Sequence, residues 1–185
     1  MASVPKEIAS ARLVPHPAAP PSAVRGVDAV LLRRADGGWL VEFVVDHGGA
    51  LALPEPAAAA RVDELWRTTC FELFVTDPAG GYREFNLSPS TEWAAYRFTG
   101  YREGMADLPL SAPPATAPEP GPTVYAQVSI LPPDAIPASA GVRIALTAVI
   151  EEAGGAKSYW AVTHPREKPD FHHDACFALQ LPAAG

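Results

Sequence analysis

Short apolar runs with a two-residue period, separated by turns rich in glycine and proline, recur along this chain. In the run Trp39–Asp46, large apolar side chains occupy every second position, and Glu42 and Asp46 fall on the opposite face. Successive side chains of a strand point to opposite faces of a sheet, so the pattern predicts a strand with one buried face. The turn residues Asp36–Gly38 join it to the apolar run Val24–Arg34 in a predicted hairpin.

The same pattern predicts nine or ten strands and one short helix. The helix is predicted over Ala57–Trp66, because four alanines favour helix and Pro54 and Pro56 prevent an earlier start. Short strands without a helical layer indicate an all-β fold, a two-sheet antiparallel β-sandwich of the jelly-roll or immunoglobulin-like type. The predicted strands are Arg12–Val14 at an edge, Val24–Arg34, Trp39–Asp46, Thr69–Thr76, Tyr82–Leu87, Trp93–Thr99, Thr123–Leu131, Val142–Glu151, Lys157–Thr163 and Cys176–Leu181.

A length of 185 residues suits one domain, which we expect to span 1–185. Two segments lie outside the regular pattern. A proline-rich segment covers about 1–23, and a loop rich in proline and alanine covers 108–122.

The charge balance narrows the range of partners. The net charge is −7 and the 14 lysines and arginines are scattered, which argues against nucleic acid or an anionic membrane as a partner. There is no signal-like or membrane-length apolar segment, so we expect a cytoplasmic protein. We also expect the protein to be a monomer or a weak homodimer. Cys70 and Cys176 lack metal spacing and are expected to be buried, reduced thiols.

A row of polar side chains follows one face of the predicted strand at Tyr82–Ser88. Glu84, Asn86 and Ser88 share this face and supply both hydrogen-bond donors and acceptors. Adjacent sugar hydroxyls need both, so the row suits a polyol. The alternative is a solvated outer sheet face, which this strand taken alone favours.

The neighbouring strand carries a carboxylate in an apolar setting. Glu72 lies within Thr69–Thr76, which is apolar on both faces and therefore predicted to be central. A buried carboxylate needs a partner, which Arg83 or Arg97 can supply. The pair is predicted either to hold a ligand-binding face rigid or to be purely structural.

Three tryptophans lie at strand ends or beside polar residues. Trp66, Trp93 and Trp160 are candidates for stacking on the apolar face of a sugar ring. The alternative is that each of them caps the core.

A second polar cluster, Trp160–Asp174, contains three of the five histidines. His164 and His172 are candidate ligand-binding residues, and an alternative function is a hydrolase-like enzyme that uses the loop His164–Asp174, where a histidine could act as general base. His172 and His173 are adjacent and point apart on an extended chain, and no metal-binding or nucleophile motif is present, so we expect no metal and no catalytic residue.

One stretch of the chain resembles a known superfamily. Leu65-Trp66 followed by Cys70–Val75 resembles the strand signature of the DOMON-like superfamily, which includes the family 9 carbohydrate-binding modules. The resemblance covers the chain from about Val24 on. The variant found in small stand-alone bacterial members is resembled by Tyr82–Pro89, Trp93, Tyr96, Tyr101–Met105, Trp160, Thr163–Pro165, Lys168–His173 and Phe177–Leu179.

The resemblance implies a β-sandwich that binds sugar or haem. We therefore expect a non-catalytic domain that binds a small, sugar-like ligand on a concave sheet face and needs no cofactor. The alternative within the superfamily is a b-type cytochrome, in which Met105 and either His164 or His172 would be the axial haem ligands.

Overall fold

The computed structural model describes residues 4–137 and 141–183, and strands dominate the described part. Three single 3-10 turns, at Leu65–Arg67, Pro133–Ala135 and Asp174–Cys176, are its helical elements. The strands are β1 (Lys6–Pro15), β2 (Gly26–Arg33), β3 (Trp39–Asp46), β4 (Cys70–Thr76), β5 (Tyr82–Leu87), β6 (Trp93–Phe98), β7 (Ala106–Asp107), β8 (Ala115–Pro120), β9 (Val124–Leu131), β10 (Val142–Glu151), β11 (Lys157–Ala161) and β12 (Leu179–Leu181).

The strands form one continuous antiparallel sheet. Their order is β7-β6-β5-β4-β10-β11-β1-β2-β3-β9-β8, with β12 paired to β10. The predicted all-β, antiparallel class is confirmed. In place of two separate sheets, the described residues show one curled sheet. Its two halves are β7-β6-β5-β4-β10-β11 and β2-β3-β9-β8, and β1 joins them because it is long enough to pair with both. Residues 6–13 of β1 pair with β2, and Val14 and Pro15 pair with β11.

The main core lies between the two halves of the curled sheet. Phe71 of β4 contacts Phe43 of β3, with ring centroids 4.8 Å apart, and stacks on Tyr125 of β9 at 5.7 Å. The predicted alternation of β3 is confirmed, since its odd-numbered side chains are all buried in this core. Apolar burial between the halves is the main force that closes the sheet.

The outer face of the β4–β5–β6 half is covered as well. Phe74 of β4 and Tyr82 of β5 point away from the main core, and Phe171 and Phe177 from the segment after β11 pack over them. Both faces of β4 are therefore buried, as its apolar pattern predicts. The two thiols, Cys70 and Cys176, belong to this outer layer and are free.

The predicted helix over Ala57–Trp66 is wrong. The segment is extended up to its last turn, and its backbone bonds with β6: the Val62 amide donates to the Trp93 carbonyl and the Trp93 amide to the Ala60 carbonyl, both at 2.9 Å. Only Leu65–Arg67 forms a single 3-10 turn. The helical preference of alanine, at most a few tenths of a kcal/mol per residue against ordinary residues, is outweighed by these tertiary hydrogen bonds.

Three further strand predictions change. The run predicted as a short edge strand at Arg12–Val14 is part of β1, an interior strand. The loop predicted over 108–122 contains β8, whose two prolines are tolerated because β8 lies at the sheet edge. The strand predicted at Cys176–Leu181 shrinks to Leu179–Leu181 because a 3-10 turn ends at Cys176. The predicted single domain 1–185 includes residues 1–3, 138–140 and 184–185, and the predicted proline-rich segment 1–23 includes residues 1–3; these residues lie outside the described part of the chain.

A buried carboxylate fixes the connection into β2. Glu152 accepts hydrogen bonds from the backbone amides of Ser22, Ala23 and Val24 at 2.6–2.9 Å. Hydrogen bonds to a charged group stabilise strongly, so we expect Glu152→Ala to lower the free energy of unfolding by about 2–3 kcal/mol in urea titration. Glu119→Ala, at an exposed position on β8, is the control. Equal midpoints for the two variants would contradict the structural role of Glu152.

Candidate functional site

A cleft of about 790 Å³ opens on the outer face of the β4–β5–β6 half, beyond the main core. Strands β4, β5 and β6 provide its floor, and β10 and β11 provide one side. Its rim consists of the segment 63–66, which leads into the 3-10 turn at Leu65–Arg67, and of the loops after β6 and after β11. The lining residues are Asp63, Glu64, Trp66, Glu72, Phe74, Glu84, Tyr96, Phe98, Arg102, Met105, Val149, Tyr159, Pro169, Phe171 and His172.

Two carboxyl groups lie at the floor of the cleft. Glu72 on β4 and Glu84 on β5 are 3% and 5% exposed. The strand register pairs Glu72 with Asn86 and Phe74 with Glu84, so the two carboxyls are diagonal neighbours on one face. Such neighbours have Cα atoms about 7–8 Å apart, which brings long side chains into mutual reach.

Each floor carboxyl has one protein partner and one free oxygen. Thr147 donates its hydroxyl to Oε2 of Glu72, and Asn86 donates Nδ2 to Oε1 of Glu84, both at 2.9 Å. The other oxygens, Oε1 of Glu72 and Oε2 of Glu84, receive no hydrogen bond from the described residues. They are the groups that a ligand in the cleft would meet.

Burial shifts the protonation of both floor carboxyls. Desolvation, and then the charge of Glu84, raise the pKa of Glu72 to about 8. Desolvation raises the pKa of Glu84 to about 7, against the opposing effects of Asn86 and Arg102. At neutral pH the pair therefore retains a proton, and it offers a hydroxyl donor beside a carboxylate acceptor.

A histidine closes one wall of the cleft. Nδ1 of His172 lies 2.7 Å from the Tyr82 hydroxyl, which accepts the Arg102 amide at 3.2 Å and so can donate to the ring. Burial lowers the pKa of His172 to about 4, and Arg102 adds to the effect. The ring is therefore neutral at pH 7, and its 3.8 Å contact with Glu84 is not an ion pair.

The loop after β6 is attached to the loop after β11 through an aspartate. Asp170 accepts Nη2 of Arg102 at 2.9 Å and the hydroxyl of Tyr101 at 2.5 Å. These contacts lower the pKa of Asp170 and keep it ionised, although its partial burial acts in the opposite direction. The guanidinium of Arg102, which lines the cleft, is therefore already paired with the carboxylate of Asp170.

Aromatic and thioether groups border the opening. Trp66 is 48% exposed and Met105 is 58% exposed, although both line the cleft. Tyr159 and Phe171 lie deeper, with ring centroids 6.2 Å apart. Exposed large apolar side chains at the mouth of a cavity are typical of ligand contact surfaces.

The structure brings four predicted site residues together in the cleft: Trp66, Glu72, Glu84 and His172. Asn86 is fully buried beneath them, where it orients Glu84. Their convergence follows from strand parity, since even-numbered positions of β4 and β5 face outward.

The structure does not bring the other two tryptophans to the cleft. Trp160 is 2% exposed in the main core and donates Nε1 to Ser158, because on β11 it is Tyr159 that faces outward. Trp93 packs against the main core under the guanidinium of Arg61, 4.7 Å from its ring centroid.

The predicted arginines and serine also lie elsewhere. Arg83 and Arg97 are cross-strand partners at odd-numbered positions of β5 and β6, where Arg83 pairs with Asp77 and Arg97 is exposed. Neither is the partner of Glu72, whose bond goes to Thr147. Ser88 lies in the turn after β5 and is buried.

Among the described residues that line the cleft, His172 is the one histidine. His164 bonds the Val14 carbonyl through Nε2 at 2.8 Å and packs edge-on against His16. Of the candidate haem ligands, Met105 and His172 line the cleft and His164 does not. Within residues 4–137 and 141–183, no group of three or more His, Cys, Asp or Glu side chains is arranged to hold a metal ion.

Sequence reasoning missed several lining residues. Tyr96 is the register partner of Glu84, and Tyr159 alternates with Trp160, so strand parity could have identified both. Arg102 and Phe171 come from loops, and no local pattern places them. Asp63 reaches the rim because it accepts the Tyr96 hydroxyl at 2.6 Å.

No family model and no curated protein matches the chain. Solved structures do. A candidate carbohydrate-binding protein from Bacteroides uniformis superposes with a TM-score of 0.66 at 14% identity, covering 91% of this chain and 84% of that one. The fold is shared with carbohydrate-binding proteins.

A family 9 carbohydrate-binding module from Caldicellulosiruptor kristjanssonii matches in two structures, both at 11% identity and covering 90% of this chain. Its complex with glucose has a TM-score of 0.53 and 80% of that chain covered, and its complex with cellotriose 0.52 and 78%. At these identities the similarity shows a common fold.

In the described residues, no helix has the length and apolar character needed to cross a bilayer.

Proposed function

We propose that this protein binds a carbohydrate or polyol in the cleft above Glu72 and Glu84, without catalysing a reaction on it. The proposal is carried by one observation. Two buried carboxyls each turn one oxygen, which receives no hydrogen bond from the described residues, into a cleft bordered by the half-exposed Trp66.

The chemistry of the floor suits vicinal hydroxyls. A protonated carboxyl donates and a carboxylate accepts, and each sugar hydroxyl can do both. The raised pKa values of Glu72 and Glu84 keep both forms present at neutral pH. A buried oxygen that finds a hydrogen-bond partner on the ligand recovers the cost of its desolvation, which favours binding.

The border of the cleft suits the apolar face of a pyranose. Trp66 at the mouth and Tyr159 and Phe171 deeper in the cleft offer ring surfaces for stacking. The sugar reading is supported further by the fold shared with sugar-binding modules.

We expect Trp66→Ala to weaken binding of the best-bound sugar by about 5- to 30-fold, since it removes the exposed stacking surface at the mouth. Isothermal titration calorimetry with glucose, xylose, galactose, cellobiose and cellotriose measures this directly. Stacking of one aromatic ring contributes about 1–2 kcal/mol, which corresponds to this loss.

Trp93→Phe is the matched control, because Trp93 lies outside the cleft and should leave affinity unchanged. Equal affinities for natural protein and Trp66→Ala would remove Trp66 from the site. No binding across the whole panel would end the proposal.

The finer assignments belong to the same proposal. Membership of the DOMON-like superfamily rests on the motif residues of 65–105 and on the shared fold, and a cytoplasmic location remains an expectation from the sequence. The non-catalytic role is part of the same proposal.

A further inference from the structure

The charges that line the cleft do not balance. Four carboxyl groups face one guanidinium, that of Arg102, which is already paired with Asp170 at 2.9 Å. His172 is neutral at pH 7 because burial lowers its pKa to about 4. The cleft therefore offers negative charge to a ligand and no free cation among the described residues.

The four carboxyls differ in how far they are already satisfied. At the rim, Asp63 accepts the Tyr96 hydroxyl at 2.6 Å and Glu64 pairs with Arg67 at 2.7 Å. At the floor, Glu72 and Glu84 have neutral partners and one oxygen each without a hydrogen bond from the described residues. A buried carboxylate without a cationic partner is costly, so the floor is the place where positive charge stabilises most.

Aromatic rings surround this floor. Phe74 and Tyr96 flank the carboxyls on β4 and β6, and Trp66, Tyr159 and Phe171 stand between them and solvent. The π-face of an aromatic ring attracts a cation, most strongly where water is excluded. Carboxyls within aromatic walls form a typical receptor for an organic ammonium group.

We propose that the ligand carries a protonated amine, as an amino sugar does, and that its ammonium group lies between the carboxyls of Glu72 and Glu84. This inference rests on the proposed sugar-binding function and narrows its substrate class. The sugar ring would stack on the aromatic border, and the amine would donate to the two free oxygens.

The test compares three sugars that differ at one substituent: D-glucosamine, N-acetyl-D-glucosamine and D-glucose. Acetylation removes the positive charge and keeps the nitrogen, so it separates charge from shape. At neutral pH we expect calorimetry to give at least about tenfold tighter binding of D-glucosamine than of either neutral sugar. The attraction between one pair of opposite charges near a protein surface is larger than the free energy that corresponds to a tenfold change in affinity.

The Glu72→Gln/Glu84→Gln double variant keeps the shape of the floor and removes its charge. We expect the preference for D-glucosamine over D-glucose to disappear in this variant and to persist in Glu119→Gln, an exposed position on β8. Circular dichroism and thermal melting verify that both variants are folded. The ratio measured on the natural chain tests the inference without any variant.

The outcomes separate the inference from the function beneath it. Equal affinities for D-glucose and D-glucosamine overturn the amine inference and leave sugar binding in place. A preference for D-glucosamine that survives in the double glutamine variant also overturns the amine inference, because groups other than Glu72 and Glu84 would then bind the ammonium group. If no sugar binds at all, the proposed function fails and the inference fails with it.

Discussion

Phe71→Ala is expected to lower the free energy of unfolding by about 3–5 kcal/mol, the usual loss when a buried phenylalanine is truncated. Phe71 lies on β4, in one half of the curled sheet, and is fully buried. Its ring packs against Phe43 and Tyr125, which both lie on the facing half. Removing its ring leaves a cavity where the two halves meet. For a chain of this length the melting temperature should fall by roughly 10 °C.

Val124→Ala is the control for this prediction. Val124 lies at the start of β9, is exposed, and should change stability by less than about 0.5 kcal/mol. Thermal melts of both variants followed by circular dichroism provide the comparison. A melting temperature for Phe71→Ala that matches Val124→Ala would show that the sheet does not close around this ring.

Stability is expected to fall as the pH rises from about 5 to about 8, because the folded chain holds protons that the unfolded chain releases. The pKa of Glu72 is raised from 4.5 to about 8 and that of Glu84 from 4.5 to about 7, chiefly by burial. A group with a raised pKa stabilises fully below its unfolded value and loses that contribution as pH passes its folded value. At about 1.4 kcal/mol per unit, reduced for relaxation of the charged pair, we expect a loss of about 2–4 kcal/mol.

The Glu72→Gln/Glu84→Gln variant should lack this decline, because glutamine does not titrate. His172 acts in the opposite sense: its pKa is lowered from 6.5 to about 4, so its contribution is present above 6.5 and is lost as the pH falls from there towards 4. The difference between natural and variant curves therefore isolates the two glutamates. Urea titrations across this pH range, with Glu119→Gln as control, measure it, and parallel curves for natural chain and double variant would refute it.

Strand patterning predicted much of this fold because the relevant physics is local. The alternation in Trp39–Asp46 places one face in the core whichever strands lie beside it. The run Ala57–Trp66 shows the limit of the same reasoning, because hydrogen bonds to Trp93, distant in sequence, decide its extended conformation. The joining of the halves by β1 also depended on distant partners, since its last residues pair with β11.

The candidate site divides along the same line. Glu72 and Glu84 could be predicted on outward-facing positions from parity alone, and the structure places both at the floor. The partner of Glu72 could not be predicted from the sequence, because Thr147 is 75 positions away. The expectation that a buried carboxylate pairs with a cation favoured an arginine instead. The chemistry of Trp160 suits a stacking role, but strand parity allows one of Trp160 and Tyr159 to face the cleft, and the structure places Tyr159 there.

The alternation along β4 divides its work between neighbouring residues. Odd-numbered side chains such as Phe71 hold the domain together, and even-numbered ones such as Glu72 meet the cleft. Selection, or a protein engineer, can therefore vary Glu72 to change what is recognised while the odd-numbered positions preserve the scaffold. A lineage built on this strand is free to diversify its ligands faster than its architecture.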